Sequence, residues 1–309
     1  MNLPVNFGRR KPRIARTRPR AHQRIIGVLG VLALVMLLQA CSVMKLFYNQ
    51  APDLAYWYLD GYLKFTDAQS LQLKDGLSRL QDWHRQTQLP SYIEALNRLQ
   101  LQAGSDITAS SACAVFAELR GKLLAVSERA EPLAAAIVST LNPEQLKHLA
   151  LKFAENNTRE EAELGEGSGR DRLDKRRRQA LSRAEMLYGS LGERQLAVLN
   201  QRLEQSRFDA RIFHGEKLRR QRDTLQTLGT LNAASVAAEK AQIALRGLME
   251  RVWSSPEAPY RDYLELMTLE SCQTFAELHN STTAAQRKKA AATLRDYARD
   301  FRGLVAQKP

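Results

Sequence analysis

The chain predicts an all-α fold, a multi-helix bundle, on three observations. Apolar residues recur at spacings of three and four. Leu, Ala, Gln, Glu and Arg dominate while β-branched residues are scarce. Helix-start signatures punctuate the chain from Thr66 to Gln286. No run alternates apolar and polar residues over a strand's length, so no sheet is expected.

Taken in order, Thr66-Asp67-Ala68-Gln69 reads as a capping box, with the threonine oxygen accepting an amide and the glutamine reaching back to the cap. Leu73, Leu77, Leu80 and Trp83 then keep helical spacing, and Leu89-Pro90 opens a further helix. Asn142-Pro143-Glu144-Gln145 places Asn at the cap, Pro at the first helical position and an acid in the positive first turn. Gly165–Gly169, "GEGSG", is a flexible break between an acidic stretch and the basic run Arg170 to Arg178. Gly192-Glu193-Arg194-Gln195 is a degenerate box before Leu196, Leu199 and Leu203, and Thr283-Ala284-Ala285-Gln286 repeats the full form. Pro256 and Pro259 interrupt a helix ending near Val252.

An internal echo joins these signals. Cys113-Ala-Val-Phe-Ala-Glu-Leu119 recurs as Cys272-Gln-Thr-Phe-Ala-Glu-Leu278, and each copy lies between boxes. A diverged duplication and a chance match among alanine- and glutamate-rich helices are equal readings at this point. If the halves are related, equivalent cysteines near a pseudo-twofold axis form a disulfide. Otherwise both cysteines are small buried hydrophobes.

The N-terminus places the chain. Residues 1–24 carry eight basic side chains and no acid, and Ile25–Leu38 is apolar throughout. This is the layout of a secretory signal, and about 21 Å of helix is short of a bilayer core. Leu38-Gln39-Ala40-Cys41 resembles the bacterial lipobox. That resemblance implies cleavage before Cys41, a diacylglycerol on its thiol and palmitate-type acylation of the new amine. Ser42, rather than an aspartate, favours the outer over the inner membrane. An uncleaved anchor is the competing reading. The predicted organisation is a signal peptide over 1–40, a lipidated aromatic-rich segment over 41–65, a first helical half over 66–164, the break at 165–169 and a second half over 170–309.

The signal holds eight of the 46 basic residues and none of the 33 acids, so the mature excess is only +5. The high isoelectric point is therefore mostly targeting, and nucleic acid is not expected as a partner. With Cys41 lipidated, Cys113 and Cys272 remain as an even pair in an oxidising compartment.

"CSVMKLFYNQAP", "WYLDGYLKFTDAQ", "LQDWHRQTQLPSY" and "LNPEQLKHLALKFAENN" resemble a family of proteobacterial outer-envelope lipoproteins known only as a domain of unknown function. The resemblance is clearest over residues 38–157. It implies a helical lipoprotein and carries no activity. A fainter similarity, through Leu141-Asn142-Pro-Glu-Gln145, is to Spy-type periplasmic chaperones, whose helices begin Leu-Thr-x-x-Gln.

Among chemistry-bearing residues, Asp60, Trp83, His84 and Arg85 form the one functional cluster suggested. There His84 is a base oriented by Asp82 or Asp60, and Arg85 holds an anion. The plainer expectation makes Trp83 core, with His84 and Arg85 touching the next helix. His148, His214 and His279 stand alone, and no metal-ligand spacing or phosphate loop is present, so neither metal nor cofactor is expected. The basic run Arg170 to Arg178 reads as a solvated face paired with nearby glutamates. Leu54, Trp57 and Tyr58 share a helix face that lies on lipid headgroups or docks into the body, and the extra burial at Leu59 and Leu63 favours docking. The whole predicts a lipid-anchored envelope protein that faces the periplasm and binds another envelope protein as scaffold, adaptor or chaperone. An envelope hydrolase centred on His84 is the alternative.

Overall fold

The computed structural model describes residues 44–165, 168–233 and 238–307. The expected signal peptide and Cys41, and Glu166 and Gly167 of the expected break, lie outside the described residues. The chain divides into the units Met1–Leu46 and Phe47–Pro309, and the second is the helical body. Its described residues are all-helical, with no strand.

The helices are α1 (Ala51–Leu63), α2 (Asp67–Trp83), α3 (Leu89–Gln102), α4 (Ala109–Val138), α5 (Pro143–Gly165), α6 (Gly169–Tyr188), α7 (Glu193–Gln205), α8 (Ala210–Ala233), α9 (Ala238–Trp253), α10 (Ala258–Asn280) and α11 (Ala284–Val305). The longest, α4, packs against α2, α9 and α10, while α11 returns from the end of the chain to lie along α3. The stretches before and after Gly165–Gly169 are therefore interleaved. Leu141, Leu149, Leu228, Leu231, Leu245 and Leu248 form the main core where α5, α8 and α9 meet the end of α4. Gly76 of α2 lets that helix approach α4, because a Cβ there would lie 2.3 Å from a methyl of Leu133.

Between α2 and α3 the chain does not break. His84–Gln88 form a π-helical turn, in which the Leu89 amide donates to the His84 carbonyl. Pro90 explains it: lacking an N–H and crowding the carbonyl four residues back, it is accommodated by one wider turn.

The capping signals hold. Thr66 and Gln69 exchange both bonds, as do Thr283 with Gln286 and Asn142 with Gln145. Gly192 has only the returning bond, its amide donating 2.7 Å to Gln195 Oε1. Boxes at Thr108-Ser111 and Ser168-Asp171 were not foreseen, because serine and aspartate at the third position are weaker signatures than glutamine.

Cys113 and Cys272 are bonded to one another, their Cα atoms 5.3 Å apart. Around the bond, like residues of the echo meet or match. The Phe116 and Phe275 rings lie 6.2 Å apart, Glu118 is held by Arg98 at 2.7 Å, and Glu277 is held by Arg202. The bond links residues 159 apart in sequence, and closing a loop of that size stabilises by about 5 kcal/mol in the chain-entropy account.

The expectation for α1 needs correction. Tyr62, Leu63 and Phe65 do pack on the main core. Leu54, Trp57 and Tyr58 instead face outward, 48%, 76% and 63% exposed. At 100° per residue the docking stripe runs through Tyr56, Leu59, Tyr62 and Leu63, which turns 54 and 57 away and leaves Tyr58 at the edge, its ring 5.2 Å from that of Tyr62.

Candidate functional site

The predicted cluster is only partly assembled. Asp60 lies elsewhere: its Oδ1 accepts from the Phe65 amide at 2.9 Å and fixes the turn between α1 and α2. Trp83 is half-buried rather than core, with the Arg129 guanidinium 5.8 Å from its ring centroid. The stripe from Leu73 drifts toward the surface as α2 runs out.

His84 and Arg85, in the π turn, do meet partners, and these come from before α1 as well as from α3. His84 Nδ1 lies 3.0 Å from the Tyr48 hydroxyl and Nε2 lies 3.3 Å from the Tyr92 hydroxyl. Burial holds the imidazole below its usual pKa, so it is neutral at pH 7. Burial also raises Tyr48 and Tyr92, with Arg85 opposing the rise at Tyr48. Both histidine nitrogens face phenols, and neither is oriented by a carboxylate. Arg85 is 8% exposed and donates to Asn49 Oδ1 at 3.1 Å, with its guanidinium 5.7 Å from the Tyr48 ring. Its Nε is buried without a partner. Asn49 in turn donates to Gln307 Oε1 at 3.2 Å. Chemically this is a neutral histidine beside an arginine with no described carboxylate, joined to three polar residues that sequence reasoning never attached to it. Tyr92 lies two turns beyond His84, a spacing that was legible. Tyr48 and Asn49 are brought in by the tertiary fold alone.

A second histidine node is fully explained by structure. His279 Nε2 donates to the Ser105 carbonyl at 2.9 Å, which leaves Nδ1 to accept from the Tyr188 hydroxyl at 2.9 Å. Burial lowers His279, opposed by the Ser105 bond, and raises Tyr188. His214 lies between Glu160 and Glu161 at 3.5 and 3.2 Å, and His148 reaches the Gly61 carbonyl at 3.3 Å. No three His, Cys, Asp or Glu side chains converge as a metal site among the described residues. Glu216, pushed up by burial, is nonetheless held below its usual pKa by Arg219, Arg220 and Ser255, and it ties α8 to the segment after α9.

A feature that the sequence did not announce is a groove of about 550 Å³ between α6, α7 and α10. Leu187, Leu199, Leu203, Phe213, Met267 and Phe275 line it, and Arg176, Arg183 and Arg202 stand along it. The basic run is thus not uniformly solvated. Lys175 pairs with Glu163, and Arg177 pairs with Asp174 and Glu204. Arg176 instead stacks on Phe208 at 4.4 Å and donates to Ser206 Oγ at 3.1 Å, and burial lowers its pKa.

Neither curated proteins nor solved structures give a match to this chain. Residues 61–261 match the profile described as "Family of unknown function (DUF6279)". That stretch takes in α2 to α9, the His84–Arg85 turn and most of the groove, and the chain belongs to the DUF6279 family of unknown function.

Proposed function

We propose that the protein is a lipid-anchored component of the cell envelope, tethered through Cys41 and facing the periplasm from the outer membrane. It works by binding another envelope protein. The observation that carries the binding role is the groove of α6, α7 and α10. An apolar floor flanked by arginines suits the apolar face of a partner helix with acidic residues at its edge. Arg202 is already matched by Glu277 and Arg176 is held by Phe208 and Ser206, so Arg183 supplies the available positive rim. Apolar burial gives the affinity, and the rim charges set orientation and approach rate.

The test is a photo-crosslinker at Gln179, which lines the groove, in intact cells. One dominant protein adduct, lost in R183E, supports the reading. A diffuse set of adducts moves it to a chaperone-like surface, and no adduct at all defeats it.

One observation favours a second reading, a hydrolase acting on an envelope polymer: Arg85 is buried beside a neutral His84 without a described counter-charge. H84A separates the two. Loss of the cellular phenotype with an unchanged helical spectrum supports chemistry, and an unaffected phenotype removes it.

A further inference from the structure

We propose that the outward face of α1 is a second membrane contact, with Phe47, Leu54, Trp57 and Tyr58 seated among lipid headgroups. The inference rests on the lipid-anchor reading, since it takes as its bilayer the one that holds Cys41. It begins from an imbalance in α1. The helix carries apolar residues on two faces, with Asp53 and Asp60 along one seam between them, so burial of one face leaves the other for a second contact. One side is accounted for. Tyr56 donates to Ser70 Oγ at 2.9 Å, Tyr62 packs on Phe153 at 6.0 Å between centroids, and Leu63 joins the main core. On the other side Leu54 and Trp57 are uncovered, while Tyr58, at its edge, leans on Tyr62 with ring centroids 5.2 Å apart. Leu54, Trp57 and Tyr58 fall at i, i+3 and i+4, and Phe47, 63% exposed, precedes Leu54 by two helical turns.

The patch joins four large side chains that are 48% to 76% exposed, the kind of apolar surface that on a soluble protein signals a contact. Its composition selects the contact. Tryptophan and tyrosine carry an apolar ring and a polar tip, and both concentrate at the headgroup level of membranes. None of the four side chains carries a charge, and the exposed Asp53, one turn before Trp57, marks the polar rim of the face.

Chain length then commits the face to the bilayer rather than to a protein. Phe47 stands six residues after Cys41, at most about 20 Å along an extended chain, and Trp57 stands sixteen after it. A tether that short presents the patch to the lipid surface at high effective concentration, without any partner having to arrive. A diacylglycerol on Cys41 already holds the chain to the membrane, and a second, weaker contact fixes which side of the body faces the lipid.

The experiment uses the full chain, reconstituted in vesicles of phosphatidylethanolamine and phosphatidylglycerol whose acyl chains carry bromine, a short-range quencher of indole fluorescence. The chain has tryptophans at 57, 83 and 253, and the latter two are half-buried in the body. The expected result is a loss of emission in brominated vesicles that disappears in W57F, whose fold is intact by circular dichroism. Y58S and L54S, at outward positions, should each reduce the quenching at Trp57 without unfolding the protein. Wild-type emission that is the same in brominated and ordinary vesicles, with the protein still floating with lipid, overturns the proposal and leaves the anchor standing. Loss of flotation in C41A tests the anchor separately, and retention there defeats that reading whatever Trp57 does. Trp57 shielded from acrylamide in cells, yet unquenched by brominated lipid, would mean that a protein covers the face, and this also overturns the proposal.

Discussion

Two pairs of helix starts in this molecule are clamped by capping-box glutamines, and the pairs differ in burial. In the first, Gln69 and Gln145 are each 4% exposed and face one another, with Gln145 Nε2 donating to Gln69 Oε1 at 2.8 Å. Each also reads the loop of the other: Gln69 donates to the Thr140 carbonyl at 2.9 Å and Gln145 to the Lys64 carbonyl at 3.1 Å. In the second, Gln195 donates to the Ser281 carbonyl at 2.6 Å and Gln286 to the Ser190 carbonyl at 2.9 Å. In all four cases the accepting carbonyl lies two residues before the partner helix's cap. The second pair has a partly exposed Gln286 and a glycine at one cap, so half of one box is missing. The same wiring is thus built once dry and once wet. An amide at a helix start can close its own helix and bind a neighbour with one side chain, and burial decides how much that second bond contributes.

Variants can break this comparison, and the largest effect comes from what links the two clamps. Replacing Cys113 and Cys272 by alanine should cost about 5 kcal/mol if the loop-entropy account holds, read as a lowered denaturant midpoint. A midpoint equal to the wild type under non-reducing conditions would show that the bond adds nothing. Next is Q145L, which strands buried partners at Gln69, Leu63 and Lys64 and should cost about 3 kcal/mol. Q195L, losing its bonds to Ser281 and to the Gly192 amide, should cost about 2 kcal/mol, and Q286L under about 1 kcal/mol, because water replaces its bonds. Double-mutant cycles sharpen the contrast. The coupling between Gln69 and Gln145 should fall at about 1–2 kcal/mol and that between Gln195 and Gln286 near zero. Equal couplings would refute the dry-and-wet distinction.

Acidity should separate the clamps as well. His279 ends α10 two residues before Ser281, the acceptor of Gln195. Its folded pKa is depressed below the ordinary 6.5, so the unfolded chain binds more protons at mildly acid pH. The stability it contributes is present above pH 6.5 and is lost as pH falls toward its folded value. His84 acts in the same direction, for the same reason of burial. Between pH 7.5 and 5.5, amide protection factors should therefore fall at Ser281 and Thr282 more than at Thr140 and Leu141. H279Q, which keeps a donor toward Ser105 and does not titrate, should remove most of that difference. Below pH 4.5 a further loss is expected as Glu216 and Asp223, both held low by arginines, take up protons.

The sequence showed three of the four clamping glutamines as capping-box members and the fourth, Gln195, in a degenerate box. Such a box is a local code, complete within four residues. That the glutamines also seize the loops of other helices was not legible, because the acceptors lie 71 to 96 residues away. The echo at Cys113 and Cys272 was visible as a repeat, yet its register is not that of the clamps. Cys113 precedes the Asn142 cap by 29 residues and Cys272 precedes Thr283 by 11. The seven-residue copies meet through their own cysteine and phenylalanine, which no spacing argument joins to the glutamines. The outward turn of Leu54, Trp57 and Tyr58 was missed because both faces of α1 are apolar, so periodicity could not say which one docks.

By itself the sequence determined what depends on neighbours along the chain: the helical class, the helix starts, and the expectation of export and a lipidated Cys41. Such features are set by side chains within a turn or two of each other. Only the tertiary structure decided which face of α1 is covered, that Tyr48 and Asn49 complete the surroundings of His84 and Arg85, and that α6, α7 and α10 leave a groove with Arg176 stacked on its edge. Those contacts come from helix packing, which buries apolar area without regard to the order of the chain.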